Sequence, residues 1–173
     1  MRHGIVGVML AAIAASGATV DAQESSAIRP EDASIRALVA TGLERSPTFR
    51  DLKARLDASD VIVYIRVSRC PARLGACLAW ASTSGGTRRL LITLDRFGRS
   101  PDELTALLAH ELQHANEVAS ATEITDFASF QKSFESRGWK HGAGLETGEA
   151  TRITRVVAAE LAREAGLERR PEC

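Results

Sequence analysis

The sequence predicts an α+β fold in which a small antiparallel sheet packs against several helices. Three short apolar segments between residues 61 and 94 have the composition of strands, and turn residues separate two of them. On both sides of these segments, apolar residues recur at helical spacing. We expect residues 31–173 to form a single domain, because a chain of about 150 residues can bury a hydrophobic core.

The amino-terminal residues have the pattern of a signal peptide. A short polar start precedes an apolar run at residues 5–15, which is short for a membrane-spanning helix. The small residues that follow predict cleavage after Ala22, so residues 1–22 are removed and residues 23–30 form a flexible mature terminus. The mature protein is then expected to be secreted or periplasmic, without a stable membrane anchor. An uncleaved anchor is the alternative.

Two helices are expected before the first strand. Residues 31–45 carry apolar side chains close to helical spacing. Ser46 and Pro47 can begin the second helix, because proline suits the first helical turn. The strands that follow are joined by hairpin connections, with a turn at residues 84–87, which makes the predicted sheet antiparallel. The expected strands are residues 61–68, 78–82 and 90–94.

The helix with the clearest boundary signals begins after Ser100 and runs to about Ser120. Ser100 can serve as its N-cap, Pro101 occupies the first helical position, and Glu103 completes a capping box. Its apolar side chains form one face, which we assign to the core. The members of this face are Leu104, Leu107, Leu108, Leu112, Ala115 and Val118.

Two further helices are expected downstream. Thr122 is predicted to cap the first, which presents an apolar and largely aromatic face to the core. This face consists of Ile124, Phe127, Phe130 and Phe134. The glycine-rich residues 137–144 are expected to form a mobile loop. A last helix is expected over residues 145–165, where Gly166 ends it.

The charge balance bears on the class of partner, and the cysteines bear on disulfide formation. The 22 basic and 22 acidic side chains cancel, which argues against a nucleic-acid partner. Cys70 and Cys77 bracket a short loop and are expected to form a disulfide in an oxidising compartment. The alternatives are that all three cysteines are free or that Cys173 takes one partner.

The pattern His-Glu-x-x-His at residues 110–114 places two metal ligands and a base on one helix. Residues four apart are separated by about 40° around a helix axis, so His110 and His114 can share one ion. Glu111 lies about 100° from His110, beside the ion. There it can take a proton from a water whose pKa zinc lowers to about 7. The alternative is a pair of surface histidines on a stable helix.

A catalytic zinc site has three protein ligands and leaves the fourth position to water, so one more ligand is needed. Glu146 and Glu149 fall in the first turns of the last helix, and Glu146 is preferred. The alternative for each residue is that it binds no metal and is an acidic side chain near the amino terminus of a helix, where the helix dipole favours negative charge. Glu117 is assigned to support His114, because ligands from one straight helix are nearly collinear. His141 is a further candidate, as a ligand or as a group that steadies an oxyanion.

The motif at residues 110–114, with the downstream segment at residues 146–150, resembles the zincin superfamily of metallopeptidases and its gluzincin branch in particular. In that branch the third ligand is a glutamate on a helix after the motif helix, which implies Glu146. The resemblance covers somewhat under half of the chain. Thr151 stands where the branch often has an aspartate that braces a histidine, and the glycine and third histidine of metzincins are missing.

The sequence therefore predicts a secreted zinc metallopeptidase of zincin-like fold that acts on a peptide or protein substrate. His110, His114 and Glu146 would hold Zn²⁺, and Glu111 would act as general base and then as proton donor to the leaving amine. One alternative is a secreted binding module that keeps the metal without turnover. Another is a zinc hydrolase that acts on a non-peptide bond. Glu111 favours catalysis, since a structural metal site needs no base.

Overall fold

The computed structural model describes residues 26–71, 74–137, 139–141 and 144–168. The expected signal peptide, its cleavage after Ala22 and the third cysteine, Cys173, lie outside these ranges. In chain order the elements are β1 (Ile28–Pro30), α1 (Ala33–Arg45), α2 (Pro47–Asp57), β2 (Val61–Val67), β3 (Ala76–Ser84), β4 (Thr87–Leu94), α3 (Pro101–Ser120), α4 (Phe127–Arg137), β5 (Trp139–His141), β6 (Gly144–Glu146) and α5 (Gly148–Glu168). Within the described residues, no helix has the length and apolar character needed to cross a membrane.

Strands β1 to β4 form one sheet in the order β1-β2-β4-β3, and β5 pairs with β6 in a separate hairpin. Strands β3 and β4 form the expected antiparallel hairpin, but β2 is parallel to both β1 and β4. The prediction of a purely antiparallel sheet is therefore wrong. Strands that follow one another in sequence are usually neighbours in a sheet. Here β4 lies between β2 and β3, so these two consecutive strands are not neighbours. Apolar composition identifies a strand but does not determine which strand lies beside it.

One face of the sheet is covered by helices and carries the core. Alternate residues of β2 and β4 are buried there, among them Val63, Ile65, Leu90 and Ile92, because side chains alternate between the two faces of a strand. They form one cluster with apolar residues of the helices. Helix α3 lies at the centre, in contact with α1, α2, α5 and the sheet. The motif helix is thus the element around which the domain packs.

Helix ends with strong sequence signals lie where they are predicted. Helix α3 spans Pro101–Ser120, and its capping box is confirmed. Ser100 Oγ accepts the N–H of Glu103, and the Glu103 carboxylate accepts the N–H of Ser100 at 2.7 Å. Asp32 and Ser46 cap α1 and α2 by accepting the N–H three residues on. Such hydrogen bonds need no distant partner, so the local sequence is enough to predict them.

Helix α4 starts later than predicted. The prediction that Thr122 caps it is wrong, because the helix begins at Phe127 and Asp126 Oδ1 accepts the N–H of Ser129 at 2.8 Å. Ile124 is buried in the turn before the helix, whereas Phe127 is 55% exposed. The aromatic face is therefore core only in part.

The glycine-rich region contains a hairpin where a loop is expected. Trp139 of β5 pairs with Glu146 of β6, and α5 begins at Gly148 instead of residue 145. Helix α5 also continues past Gly166. Residues 28–30, expected to belong to a flexible terminus, form β1 beside β2. Strands of three residues show too little periodicity for a sequence pattern to reveal them.

A disulfide joins Cys70 to Cys77, with their Cα atoms 6.0 Å apart. These are the two cysteines that the sequence analysis pairs. The bond ties the connection after β2 to the start of β3. Strand β3 lies at the edge of the sheet, so the disulfide anchors the end of an edge strand.

Arg88 of β4 joins the sheet to the carboxyl-terminal end of α3. Its buried guanidinium forms a two-point ion pair with Asp60, with N–O distances of 2.8 and 2.6 Å. Its other hydrogen bonds go to backbone carbonyls in the last turn of α3 and in the turn that follows it. The carbonyls belong to Val118, Ala119, Ala121 and Ile124. The hydrogen bonds from Arg88 also lower the pKa of Asp60.

We expect Arg88→Ala to reduce the free energy of unfolding by about 3 kcal/mol, because four carbonyls would each lose a charged donor and Asp60 would lose its partner. The neighbouring Arg89 is the matched control, since it donates only to the carbonyls of Ser84 and Thr87, at 3.4 and 3.5 Å. Arg89→Ala should cost less than about 0.5 kcal/mol. Urea unfolding followed by circular dichroism measures both. Equal losses in the two variants would contradict this role for Arg88.

Candidate metal centre

The two histidines of the motif lie side by side on α3. His110 and His114 are 9% and 3% exposed. Their rings meet edge to face, and their Nε2 atoms are 3.2 Å apart. Helix α5 packs against α3, with Ala150 and Ile153 buried. The helical spacing therefore brings two imidazole nitrogens to one point at the edge of the core.

A carboxylate from a distant part of the chain completes the group. Glu146 Oε2 lies 3.0 Å from His110 Nε2. One ligand atom from each of His110, His114 and Glu146 lies within 4.8 Å of the others. Glu146 is the last residue of β6, so its predicted place in the first turn of the last helix is wrong. Thr147 makes the turn into α5, and its hydroxyl accepts the N–H of Ala150 at 3.2 Å.

Thr154 of α5 sets the tautomer of His110. Its hydroxyl oxygen lies 2.8 Å from His110 Nδ1 and 3.0 Å from the carbonyl oxygen of Ala150. A carbonyl only accepts, so the hydroxyl donates to Ala150 and accepts the Nδ1–H of His110. The Nε2 atom of His110 then carries a lone pair, which is the form that binds a metal.

Glu117 acts in the same way on His114. Its Oε2 lies 3.0 Å from His114 Nδ1, while its Oε1 accepts from Thr147 Oγ1 at 2.8 Å and from Gln113 Nε2 at 3.2 Å. Burial opposes ionisation of this acid, but the interactions with His114, Thr147 and Gln113 outweigh burial and lower the pKa of Glu117. The ionised carboxylate accepts the Nδ1–H, so His114 also presents Nε2 as a lone pair.

The three converging atoms suit a metal ion such as zinc, with two of their separations close to tetrahedral values and all of them within 4.8 Å. Two imidazole nitrogens and a carboxylate oxygen all carry lone pairs, and such atoms repel one another unless positive charge lies between them. A tetrahedral ion with bonds of about 2.0–2.1 Å separates its ligand atoms by about 3.3 Å, close to the 3.2 and 3.0 Å found here. Burial opposes charging of His110, but the carboxylates of Glu146, Glu111 and Glu117 outweigh it and raise the pKa of His110. The surroundings therefore favour positive charge at this point.

Glu111 lies beside the ligand group on α3. With His114 and Glu146 it lines a cleft of about 540 Å³. Burial is the main cause that raises the pKa of Glu111, with a further contribution from Glu146, against the opposing effect of the two histidines. Edge strand β3 and helix α4 supply aromatic walls to the same cleft. These aromatic side chains are Trp80, Phe127, Phe130 and Phe134.

Glu149, another candidate ligand, is not part of this group. Glu149 is exposed and accepts two hydrogen bonds from Arg152, at 2.8 and 2.6 Å, which lower the pKa of Glu149. His141 belongs to β5, and its side chain lies outside what the structure describes. Thr154 and Thr147 are not among the residues predicted from the sequence. Their spacing of seven residues, about two helical turns, is the available signal, because it places both toward α3.

In comparisons with protein-family models, with curated proteins and with solved structures, no match to the chain is found. The resemblance of the motif to zincins therefore stays a prediction. A function for the chain has to be inferred from the donor set, from the hydrogen bonds that support it and from the cleft onto which it opens.

Replacing Glu146 should weaken zinc binding far more than replacing Glu149. Glu146→Ala removes an oxygen from the donor set, whereas Glu149→Ala removes an exposed ion pair with Arg152. Loss of a residue that supports a ligand lowers affinity about 10–100-fold. Glu117→Ala should fall in that range and Glu146→Ala beyond it. A zinc competition titration compares the variants, and circular dichroism checks folding. Zinc lost in Glu149→Ala but kept in Glu146→Ala would show that the donor set is wrong.

Thr154→Val should weaken zinc binding about 10–100-fold. Valine keeps the shape of threonine but cannot accept the Nδ1–H of His110. Thr151→Val is the matched control on α5, since the Thr151 hydroxyl donates to the carbonyl of Thr147 at 3.2 Å and touches no ligand. Its zinc affinity should equal that of the wild type. Nitrogen-15 NMR of the imidazoles provides a second readout, and an unchanged His110 tautomer in Thr154→Val would count against the positioning role.

Proposed function

We propose that the chain is a zinc-dependent metallohydrolase of the zincin type that cleaves peptide bonds. The observation that carries the proposal is that a two-histidine, one-glutamate donor set and a buried glutamate open onto one cleft. Catalytic zinc sites combine three protein ligands with an adjacent base. His110, His114 and Glu146 would supply the ligands, and Glu111 would supply the base.

Glu111 is the residue that moves protons in this proposal. When bound, zinc supplies Lewis-acid catalysis, in that it polarises the substrate carbonyl and acidifies water. The carboxylate of Glu111 accepts a proton from the attacking water and then donates it to the nitrogen of the leaving amine. Burial raises the pKa of Glu111, so its carboxylate is a stronger base than an exposed one. Thr154 and Glu117 accept from Nδ1 of the two imidazoles, so that each Nε2 would be available to hold the ion.

The position of β3 supports a peptide as the substrate. Within the described part of the chain, β3 is an edge strand that pairs only with β4. The backbone groups on its other side can therefore pair with an extended peptide. Residues 76–80 of β3 also line the cleft. A peptide paired there can place apolar side chains against Trp80, Phe130 and Phe134 while its backbone passes the donor set.

A location outside the cytoplasm belongs to the same proposal. The disulfide between Cys70 and Cys77 suits an oxidising compartment, because cytosolic thiols are kept reduced. The amino-terminal pattern at residues 1–22 points in the same direction. A secreted or periplasmic peptidase would meet its substrates in that compartment.

Glu111 also distinguishes catalysis from simple metal binding. A site that only holds a metal needs no base, and burial of a carboxyl group is unfavourable without a compensating role. A binding module would therefore gain nothing from Glu111 at this position. A hydrolase of a non-peptide bond would use the same residues, and edge strand β3 is the feature that favours peptides over that alternative.

Glu111→Gln should retain one zinc per chain and lose hydrolysis, because glutamine keeps the shape of glutamate but cannot accept the proton. We expect kcat to fall by about 10²–10⁴-fold. Plasma mass spectrometry measures the zinc, and a peptide library read by mass spectrometry measures cleavage. Glu149→Gln, which alters an exposed acid, should keep both properties. A wild-type protein that holds zinc but cleaves no peptide would favour the binding module instead.

A further inference from the structure

Two arginines, Arg66 and Arg69, line the same cleft as the candidate metal centre. Both are exposed, and among the described residues neither forms an ion pair with a carboxylate. By contrast, Arg45, Arg88 and Arg152 are each paired with an acid. Two guanidinium groups without acidic partners in a cleft favour the binding of an anion.

Arg66 lies on the face of the sheet opposite the helices, here called the outer face, and Arg69 follows in the connection after β2. Val63 and Ile65 of β2 are buried against the helices, so Arg66, the next residue, projects from the outer face. The strand register sets Arg66 level with Thr93 of β4 and Thr93 level with Cys77 of β3. Arg66 Nε lies 3.5 Å from Thr93 Oγ1. The Arg66 side chain therefore extends over β4 in the direction of the edge strand.

The outer face of β3 carries the disulfide and one small side chain. Leu78 and Trp80 are level with the core residues Ile92 and Leu90, so they face the helices. Cys77 and Ala79 therefore face outward, where Cys77 is bonded to Cys70 and Ala79 is small. A peptide paired with β3 alternates in the same way. Every second side chain of the peptide would meet this small surface and the arginines beside it.

We propose that the cleft selects peptides with an acidic side chain on the outer face, level with Cys77, and that Arg66 and Arg69 bind its carboxylate. The planar guanidinium group of arginine presents parallel N–H donors that match both oxygens of a carboxylate. Substrates would then carry an aspartate or glutamate next to residues whose side chains face the aromatic wall of the cleft. This inference rests on the proposed peptidase function, because it requires that β3 receives the peptide.

The test uses the zinc-loaded mature protein and peptides in which one glutamate is moved through a neutral sequence. Each peptide has a partner with glutamine at the same position. We expect kcat/KM to be about tenfold higher for glutamate than for glutamine at one position, since each exposed ion pair contributes little but two act together. The preference should shrink at high salt. The double change Arg66→Glu and Arg69→Glu should make lysine preferred at that position.

Two control variants separate charge from folding. Arg89 is level with Ile62 on the outer face and does not line the cleft, so Arg89→Glu should leave the preference intact. The double change Arg66→Gln and Arg69→Gln should remove the preference, so that each glutamate peptide and its glutamine partner give equal kcat/KM. Circular dichroism checks that each variant is folded. A preference that survives both double changes would overturn the assignment to these arginines.

Binding is measured separately, so that the inference does not depend on turnover. Fluorescence anisotropy compares glutamate and glutamine peptides on the Glu111→Gln protein, with free and with amidated carboxyl termini. A preference that disappears on amidation would assign the arginines to a terminal carboxylate and overturn the side-chain proposal. Equal cleavage and equal binding at every position would overturn the proposal and leave the peptidase function standing. If the wild type cleaves no peptide, the peptidase function fails, and a binding preference that depends on the arginines still supports the carboxylate site.

Discussion

The candidate site depends on the hydrogen bonds that Glu117 forms between α3 and the start of α5. One carboxylate oxygen accepts from His114, and the other accepts from Thr147, the residue directly after Glu146. A single side chain therefore orients one ligand and holds the segment that supplies another. These bonds outweigh burial and lower the pKa of Glu117, so the carboxylate is ionised at neutral pH and its partners act as donors. Thr154, by comparison, supports only His110.

Side-chain hydrogen bonds stabilise both ends of α3. At the amino terminus, Ser100 and Glu103 satisfy the free N–H groups of the first turn. At the carboxyl terminus, Arg88 donates to the carbonyls of the last turn and connects them to Asp60 at the rim of the sheet. A helix fixed at both ends presents its histidines in one orientation. The donor set is then organised before the ion arrives, which reduces the conformational entropy lost on binding.

The features that could be predicted from the sequence are those whose causes are local. The capping box of α3 and the spacing of His110 and His114 depend on residues within one or two turns of each other. The strand that carries Glu146 is three residues long and lies in a glycine-rich region. It is too short for a periodic pattern to predict it. The hydrogen bonds of Thr154 and Thr147 with residues of α3 form only when α5 packs against α3. Tertiary packing, which single-sequence patterns do not report, decides their roles.

The order of the strands links the sheet to the proposed chemistry. In an antiparallel meander, β3 would lie between β2 and β4, and β4 would be the edge strand. The sequence of β4 suits a central strand better, because Leu90, Leu91 and Ile92 are apolar toward both faces. Strand β3 ends in exposed small and polar residues, which suits an edge and limits unwanted pairing with other chains. The crossover that makes the sheet mixed leaves β3 at the edge of the sheet and beside α3, which is the arrangement that the proposed peptidase function requires.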